Sequence, residues 1–189
     1  MKKMAMICCA GLVASAAGAN EFEPAIRDYV DANVMSWVNS DELVSAVMRQ
    51  NQSLGQLDAD AIDALDQQWR AEVGTSATPT IDPVLNNSAA DFLRERDAAS
   101  SGVITEIFIM DHQGLNVAAS DTTSDYWQGD EAKFQKTYPM GAGTVFIDEI
   151  EFDESTQTYQ AQVSVTLSDP KNGQPIGAVT VGLNADELF

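Results

Sequence analysis

Cysteine is nearly missing from this chain. Its 189 residues include two, Cys8 and Cys9, both within the first twenty positions. Beyond them no disulfide, thiol nucleophile or cysteine-based zinc site can form, so stability has to come from packing. Basic residues are scarce as well. Ten Lys and Arg stand against 29 Asp and Glu, giving a net charge of −19. That shortage argues against binding nucleic acid or an anionic membrane surface, which both use clustered Lys and Arg. Histidine occurs once, at His112. After Val13 no apolar run approaches the ~20 residues of a membrane span.

What is present starts with MKKMAMICCAGLVASAAGANEFEP. Lys2 and Lys3 give a positive start, Met4 to Val13 a short apolar run, and Ala17-Gly18-Ala19 small residues for cleavage. This pattern predicts a secretory signal over residues 1–19, removed after Ala19. Met6 and Ile7 stand where a lipid-attachment site ahead of Cys8 has small residues, which disfavours a lipoprotein anchor. Residues 20–189 then make one domain large enough for a sizeable core, and the loss of Lys2 and Lys3 deepens the negative charge by two. The expected location is periplasmic or secreted, with no membrane span after cleavage. Acidity serves solubility there; the alternative is attraction of cations, amines or basic partners.

The first half reads as helices (20–102). Ile26, Val30, Val34, Trp37 and Val38 share one helical stripe. Ser40 is placed to cap a second helix carrying Leu43, Val44, Val47 and Met48, with Asp41 and Glu42 in its first turn. Asp58 caps a third, with Ile62, Leu65, Trp69 and Val73 on one stripe and Gly74 at its end. TSATPTIDP (Thr75 to Pro83) is a connection, and Ser88 is placed to cap a short helix around Phe92 and Leu93. Arg94 and Arg96 on that helix are read as partners of nearby carboxylates.

At Val103 the period changes to that of strands, and residues 103–189 read as a sheet. ITEIFIMD is an interior strand, and Asp111-His112-Gln113-Gly114 turns it into a hairpin with Leu115 to Ser120. After a polar-aromatic loop, Thr144 to Phe152 has Val145 and Ile147 on one face, with Phe146, Ile150 and Phe152 on the other. Tyr159 to Leu167 alternates, with Ala161, Val163, Val165 and Leu167 inward and Gln160, Gln162, Ser164 and Thr166 opposite. Ile176 to Leu183 closes the sheet. The predicted class is α+β: N-terminal helices packed on one face of an antiparallel sheet of about five strands.

Several pieces of the sheet half resemble one family. They are the strand ending in a D-x-x-G turn (Asp111, Gly114), the VAASD after it (Val117 to Asp121), the aromatic loop at Tyr126-Trp127, and the closing QPIGAVTVGL (Gln174 to Leu183). Together they resemble the PAS-like extracytoplasmic sensor fold called the Cache or PDC domain, over roughly residues 25–188. The resemblance implies a sensor that binds a small metabolite (an organic acid, amino acid or amine) between sheet and loops. It also implies a membrane-bound signalling partner. With no output segment evident, a stand-alone secreted form is expected. That family often sets an Arg beside aromatics in the helix after the loop. Here the run is Asp130-Glu131-Ala132-Lys133-Phe134, which leaves carboxylate recognition without its guanidinium.

The candidate ligand-binding residues are Asp125, Tyr126, Trp127, Asp130, Lys133 and Tyr138. Phe108 and Met110 form a floor, and Asp148 and Ser164 are polar contributors. Aromatic walls with a few polar groups are the usual make-up of a small-molecule site. Lys133 could meet a carboxylate; Asp125 with Tyr126 and Trp127 could instead hold an ammonium. The competing reading is that Tyr126 and Trp127 only plug the sheet's face. No catalytic residue, cofactor or metal site is expected. His112 sits in a turn without a nucleophile elbow, and the carboxylates at Asp148-Glu149-Glu151-Asp153-Glu154 lack a calcium-loop pattern. A non-catalytic structural module, homodimeric through its N-terminal helices, is the alternative function.

Overall fold

In the computed structural model, residues 22–153 and 157–188 are described. The expected signal segment lies outside them, as does Glu154 of the acidic run. The change of period at Val103 falls where the sheet begins. Its strands are β1 (Ile104–Met110), β2 (Asn116–Ala119), β3 (Val145–Asp153), β4 (Thr158–Ser168) and β5 (Pro175–Asn184). All pair antiparallel in the order β2-β1-β5-β4-β3. Among the described residues five helices precede the sheet: α1 (Glu23–Asn33), α2 (Asp41–Leu54), α3 (Ala59–Glu72), α4 (Asp82–Leu85) and α5 (Ser88–Ala99). A short α6 (Ala132–Gln135) and a 3-10 turn (Tyr138–Met140) interrupt it, and α7 (Ala185–Leu188) comes after it. The class is α+β, PAS-like, as expected.

The helices differ from expectation in detail. α1 ends at Asn33, and the buried Trp37 and Val38 continue the stripe from a turn, with the Trp37 indole donating to the Asn33 carbonyl at 2.7 Å. Ser40 has the extended cap backbone, but its hydroxyl accepts nothing from α2. Asp58 caps α3 through the Ala61 amide at 2.9 Å, and Gly74 beyond its end has φ +75°. On α5 the cap is Asn87 rather than Ser88, because the Asn87 amide oxygen reaches the Ala90 amide at 2.9 Å. Arg94 pairs with Asp91 and also donates to the Leu85 carbonyl. Arg96 lies near Glu95 and over the Phe92 ring.

Two apolar clusters sit on the two sides of the sheet. The larger joins α1, α2 and α5 to Ile107, Ile109, Val163, Val165, Val179 and Val181. The smaller joins Ile62 and Trp69 of α3, and Ile81 and Val84 near α4, to Phe108, Met110, Leu115 and Ala178. The helices therefore do not share one face: α3 and α4 belong with the opposite cluster. The register shift between Ile104 and Glu106 explains the sorting along β1. A bulge there keeps Ile104 with Ile107 on the α1/α2/α5 side and leaves Glu106 with Phe108 on the other. A second shift, between Ile147 and Ile150, turns Ile150 to the side of Val145 and Ile147, against the expected alternation.

Candidate functional site

The turn after β1 is shaped by its first and last residues. Asp111 is fully buried; one carboxylate oxygen accepts the Gln113 and Leu115 amides at 2.8 and 3.0 Å, and the other accepts Gln50 Nε2 at 3.0 Å. Gly114 has φ +86°, and a Cβ there would stand 2.5 Å from Gly129 Cα. Only glycine fits that backbone and that approach. His112 is held in the turn by Asn51, whose side-chain oxygen lies 2.6 Å from Nδ1.

Past β2 the chain folds back along it. Leu115 and Trp127 form an isolated antiparallel bridge, and the Gln128 amide donates to the Gly114 carbonyl at 2.8 Å. The loop thereby covers the edge of β2. Helix α3 fixes it from the far side. Asp66, buried, accepts the Tyr126 and Trp127 amides on one oxygen at 2.9 and 3.0 Å. Trp69, fully buried, donates its indole N–H to the Thr123 carbonyl at 2.8 Å and stacks on Tyr126 with ring centroids 5.3 Å apart. Burial, and next the Asp111 charge, push the Tyr126 phenol up to about 12. These contacts hold the loop at a fixed distance from the sheet.

Between the loop and the open half of the sheet lie two adjoining hollows. The first, about 360 Å³, has Phe108 as floor and Glu106, Asp125, Gln128, Glu131, Lys133 and Gln162 among its walls. The second, about 350 Å³, shares Glu131, Lys133 and Gln162, and adds Asp148, Glu149, Glu151, Phe152 and Gln160. Shared walls make them one groove across β1, β4 and β3. Lys133, whose side chain is 13% exposed, already has partners: Glu131 at 2.9 Å, Gln128 Oε1 at 3.2 Å, and the face of Phe108 at 5.4 Å. Glu106 accepts from Gln160 and Gln162 at 3.1 and 2.9 Å, fixing both amides along the groove. Asp125 is met by Arg70 at 3.1 Å from outside the hollow.

Of the expected residues, Asp125, Lys133 and Phe108 come together in the first hollow, and Asp148 joins through the second. The others stand elsewhere. Tyr126 is buried against Trp69, and the Trp127 indole donates to the Gln113 carbonyl at 2.8 Å, so both plug the loop base rather than wall the groove. Tyr138 stacks on Phe134 with centroids 5.3 Å apart; burial, then Asp111, raise its phenol above its ordinary value. Met110 is fully buried in the smaller cluster, Ser164 is sealed in a 2.9 Å hydrogen bond with Thr180, and Asp130 is exposed outside both hollows. Glu106, Gln128, Gln160 and Gln162 were not foreseen. Glu106, Gln160 and Gln162 show as polarity at strand positions, Glu106 being the one charge inside ITEIFIM, whereas Gln128 lies in the loop.

No protein-family model matches the chain, and no curated protein matches it. Among solved structures the chain is similar to the ligand-binding domain of the Campylobacter jejuni chemoreceptor Tlp3 in complex with 4-methylisoleucine. That match has 11% identity and TM-score 0.42, and covers 88% of this chain and 61% of that one. It is similar to the sensor domain of the V. cholerae histidine kinase DctB, at 13% identity and TM-score 0.41, covering 89% of this chain and 57% of that one. A third is the ligand-binding domain of the Pseudomonas aeruginosa PAO1 amino acid chemoreceptor PctC in complex with GABA. There the identity is 13% and the TM-score 0.42, covering 81% of this chain and 62% of that one. The chain spans about three fifths of the length of these domains.

Proposed function

We propose that the chain is a non-catalytic, small-molecule-binding sensor module that acts outside the cytoplasm, and that its ligand carries an amine. The charge balance of the groove carries this reading. Glu106, Asp125, Glu131, Asp148, Glu149 and Glu151 line it against one lysine, and that lysine is already met by Glu131. A simple acid would have to enter a field of carboxylates and compete for Lys133. An ammonium finds that field favourable, and Gln128, Gln160 and Gln162 are placed to fix the rest of the molecule. A zwitterion, with its carboxylate at Lys133 and its ammonium toward Asp125, fits the same walls.

The D-x-x-G turn, VAASD and closing-strand motifs support the sensor reading. Lys2, Lys3, the apolar run and Ala17-Gly18-Ala19 support export, and a signalling partner in the membrane would receive the output. His112 is tied to Asn51 in its turn, and no nucleophile-elbow motif accompanies it in the sequence. The structural-module reading has less to rest on, because Ile26 and Val30 of the N-terminal helix, and Val34 just past its end, are buried in the chain's own core.

Thermal melting of the mature protein with n-butylamine, putrescine, L-leucine and succinate tests the reading. A saturating amine should raise the midpoint by mass action, by about 2.7 kcal/mol of stabilisation at a hundred times its Kd. Asp125→Asn should weaken that rise. A shift with succinate alone would hand the groove to an acid read by Lys133, and no shift with any of the four would end the sensor reading.

A further inference from the structure

Arg70 stands in the last turn of α3 with its guanidinium shared between two carboxylates of different standing. Nη2 lies 2.8 Å from Asp66 Oδ2, and Nε lies 3.1 Å from Asp125 Oδ1. The Asp66 side chain is 8% exposed and committed, since its other oxygen carries the Tyr126 and Trp127 amides. The Asp125 side chain is 24% exposed, and the residue lines the hollow; its second oxygen accepts the Ser124 hydroxyl at 3.1 Å. Arg70 itself is 58% exposed, so it can leave Asp125 for water while keeping Asp66.

We propose that Arg70 is a built-in competitor for the ligand's amine at Asp125, so that filling the hollow frees one arm of the guanidinium that ties α3 to the loop. This rests on the amine reading of the groove. Arg70 does two things to that site: it occupies the oxygen an ammonium would use, and it places a like charge beside it. Both lower the affinity for amines and leave the rest of the groove unchanged. The arrangement also gives occupancy a consequence. The arm that is released belongs to α3, the helix that anchors the loop through Asp66 and Trp69. Arg70 is thus a specificity-determining residue that sets the threshold at which an amine registers.

Calorimetric titration of the full chain with n-butylamine, putrescine and L-leucine tests this, using wild type, Arg70→Gln, Asp125→Asn and the double variant. An ion pair this exposed should cost an entering amine about two- to fivefold, so Arg70→Gln should bind that much more tightly. The gain should vanish in the Asp125→Asn background, because the competition needs both partners. Arg70→Lys, which keeps the charge and has a single point of contact, should gain less, and it serves in place of Arg70→Gln if that variant melts early. Binding by Arg70→Gln where wild type shows none would also support the proposal. Wild-type binding with no gain in Arg70→Gln would overturn it, as would an equal gain with Asn at 125, which marks a purely structural effect. If neither wild type nor Arg70→Gln binds any of the three amines, the groove reading falls and this one falls with it.

Discussion

On the helix side of the sheet, Ile107, Ile109, Val163, Val165, Val179 and Val181 stand in rows with no polar side chain between them. On the other side the same strands present Glu106, Gln162, Ser164 and Thr180, with Phe108 and Met110 toward the β2 end. The first surface is closed by α1, α2 and α5. The second is closed where α3, α4 and the loop cover it, and the remainder is the groove. A strand carries two unrelated instructions because its side chains alternate. One face of this sheet gains stability from burial; the other gives up apolar area, ties Glu106 to Gln160 and Gln162 and Ser164 to Thr180, and so leaves a polar surface that a ligand can complete.

The sharpest way to break that comparison is to remove one large side chain from each side. Leu167→Ala on the helix side should cost about 2–5 kcal/mol, and Trp69→Ala on the loop side about 3–5 kcal/mol. Both lower the denaturant midpoint. The difference lies in the groove: Trp69→Ala removes the stack under Tyr126 and the hydrogen bond to Thr123, so amine binding should go with it. Leu167→Ala should keep binding wherever the protein is folded. Equal loss of binding in both would mean that the two sides are one cooperative body, with no separate support for the loop.

Asp66→Ala asks the same question with a polar group. It strands the amides of Tyr126 and Trp127, and hydrogen bonds to a charged group are worth about 1.5–3 kcal/mol. Amide hydrogen exchange should quicken at Tyr126, Trp127 and their loop neighbours while Val163, Val165 and Val181 stay protected. Uniform quickening across the sheet would contradict a locally anchored loop.

How far the sequence reached also divides along these two sides. The alternation of Ala161, Val163, Val165 and Leu167 was readable because a regular strand obeys a period of two, and those residues all lie in the helix-side core. Glu106 and Ile150 were not readable, because each lies beside a register shift that reverses the faces of the residues beyond it. Of the candidate ligand-binding residues, Asp125, Lys133 and Phe108, named from residue type and resemblance, line one hollow. The fate of Tyr126 was open in the sequence because its partner, Trp69, is supplied by a helix 57 positions earlier, and stacking across that distance leaves no local pattern. The pairing of Asp125 with Arg70 was hidden for the same reason.

The smallest expected effects come from two carboxylates at the margins of the two sides, and their signs are opposite. On α3, burial alone would raise Glu72, but donations from Thr80, the Ile81 amide and Gln68 outweigh it and hold the carboxyl below its ordinary 4.5. Its contribution is therefore present above that value and lost as pH falls through the lowered one. On α5, burial first and the Asp121 charge second raise Asp97 above its ordinary 3.8. The folded state holds that proton more tightly than the unfolded chain, so Asp97 favours folding in acid and opposes it as pH rises through the raised value. Melting Glu72→Gln and Asp97→Asn from pH 3 to 7 separates the two. Glu72→Gln should destabilise at pH 7 and converge on wild type in acid. Asp97→Asn should stabilise at pH 7 by about a few tenths of a kcal/mol, the scale of a solvent-screened charge, and lose that advantage toward pH 3. Two pH profiles bending the same way would show that acid acts on the chain's overall negative charge, and that neither carboxylate reports its own side of the fold.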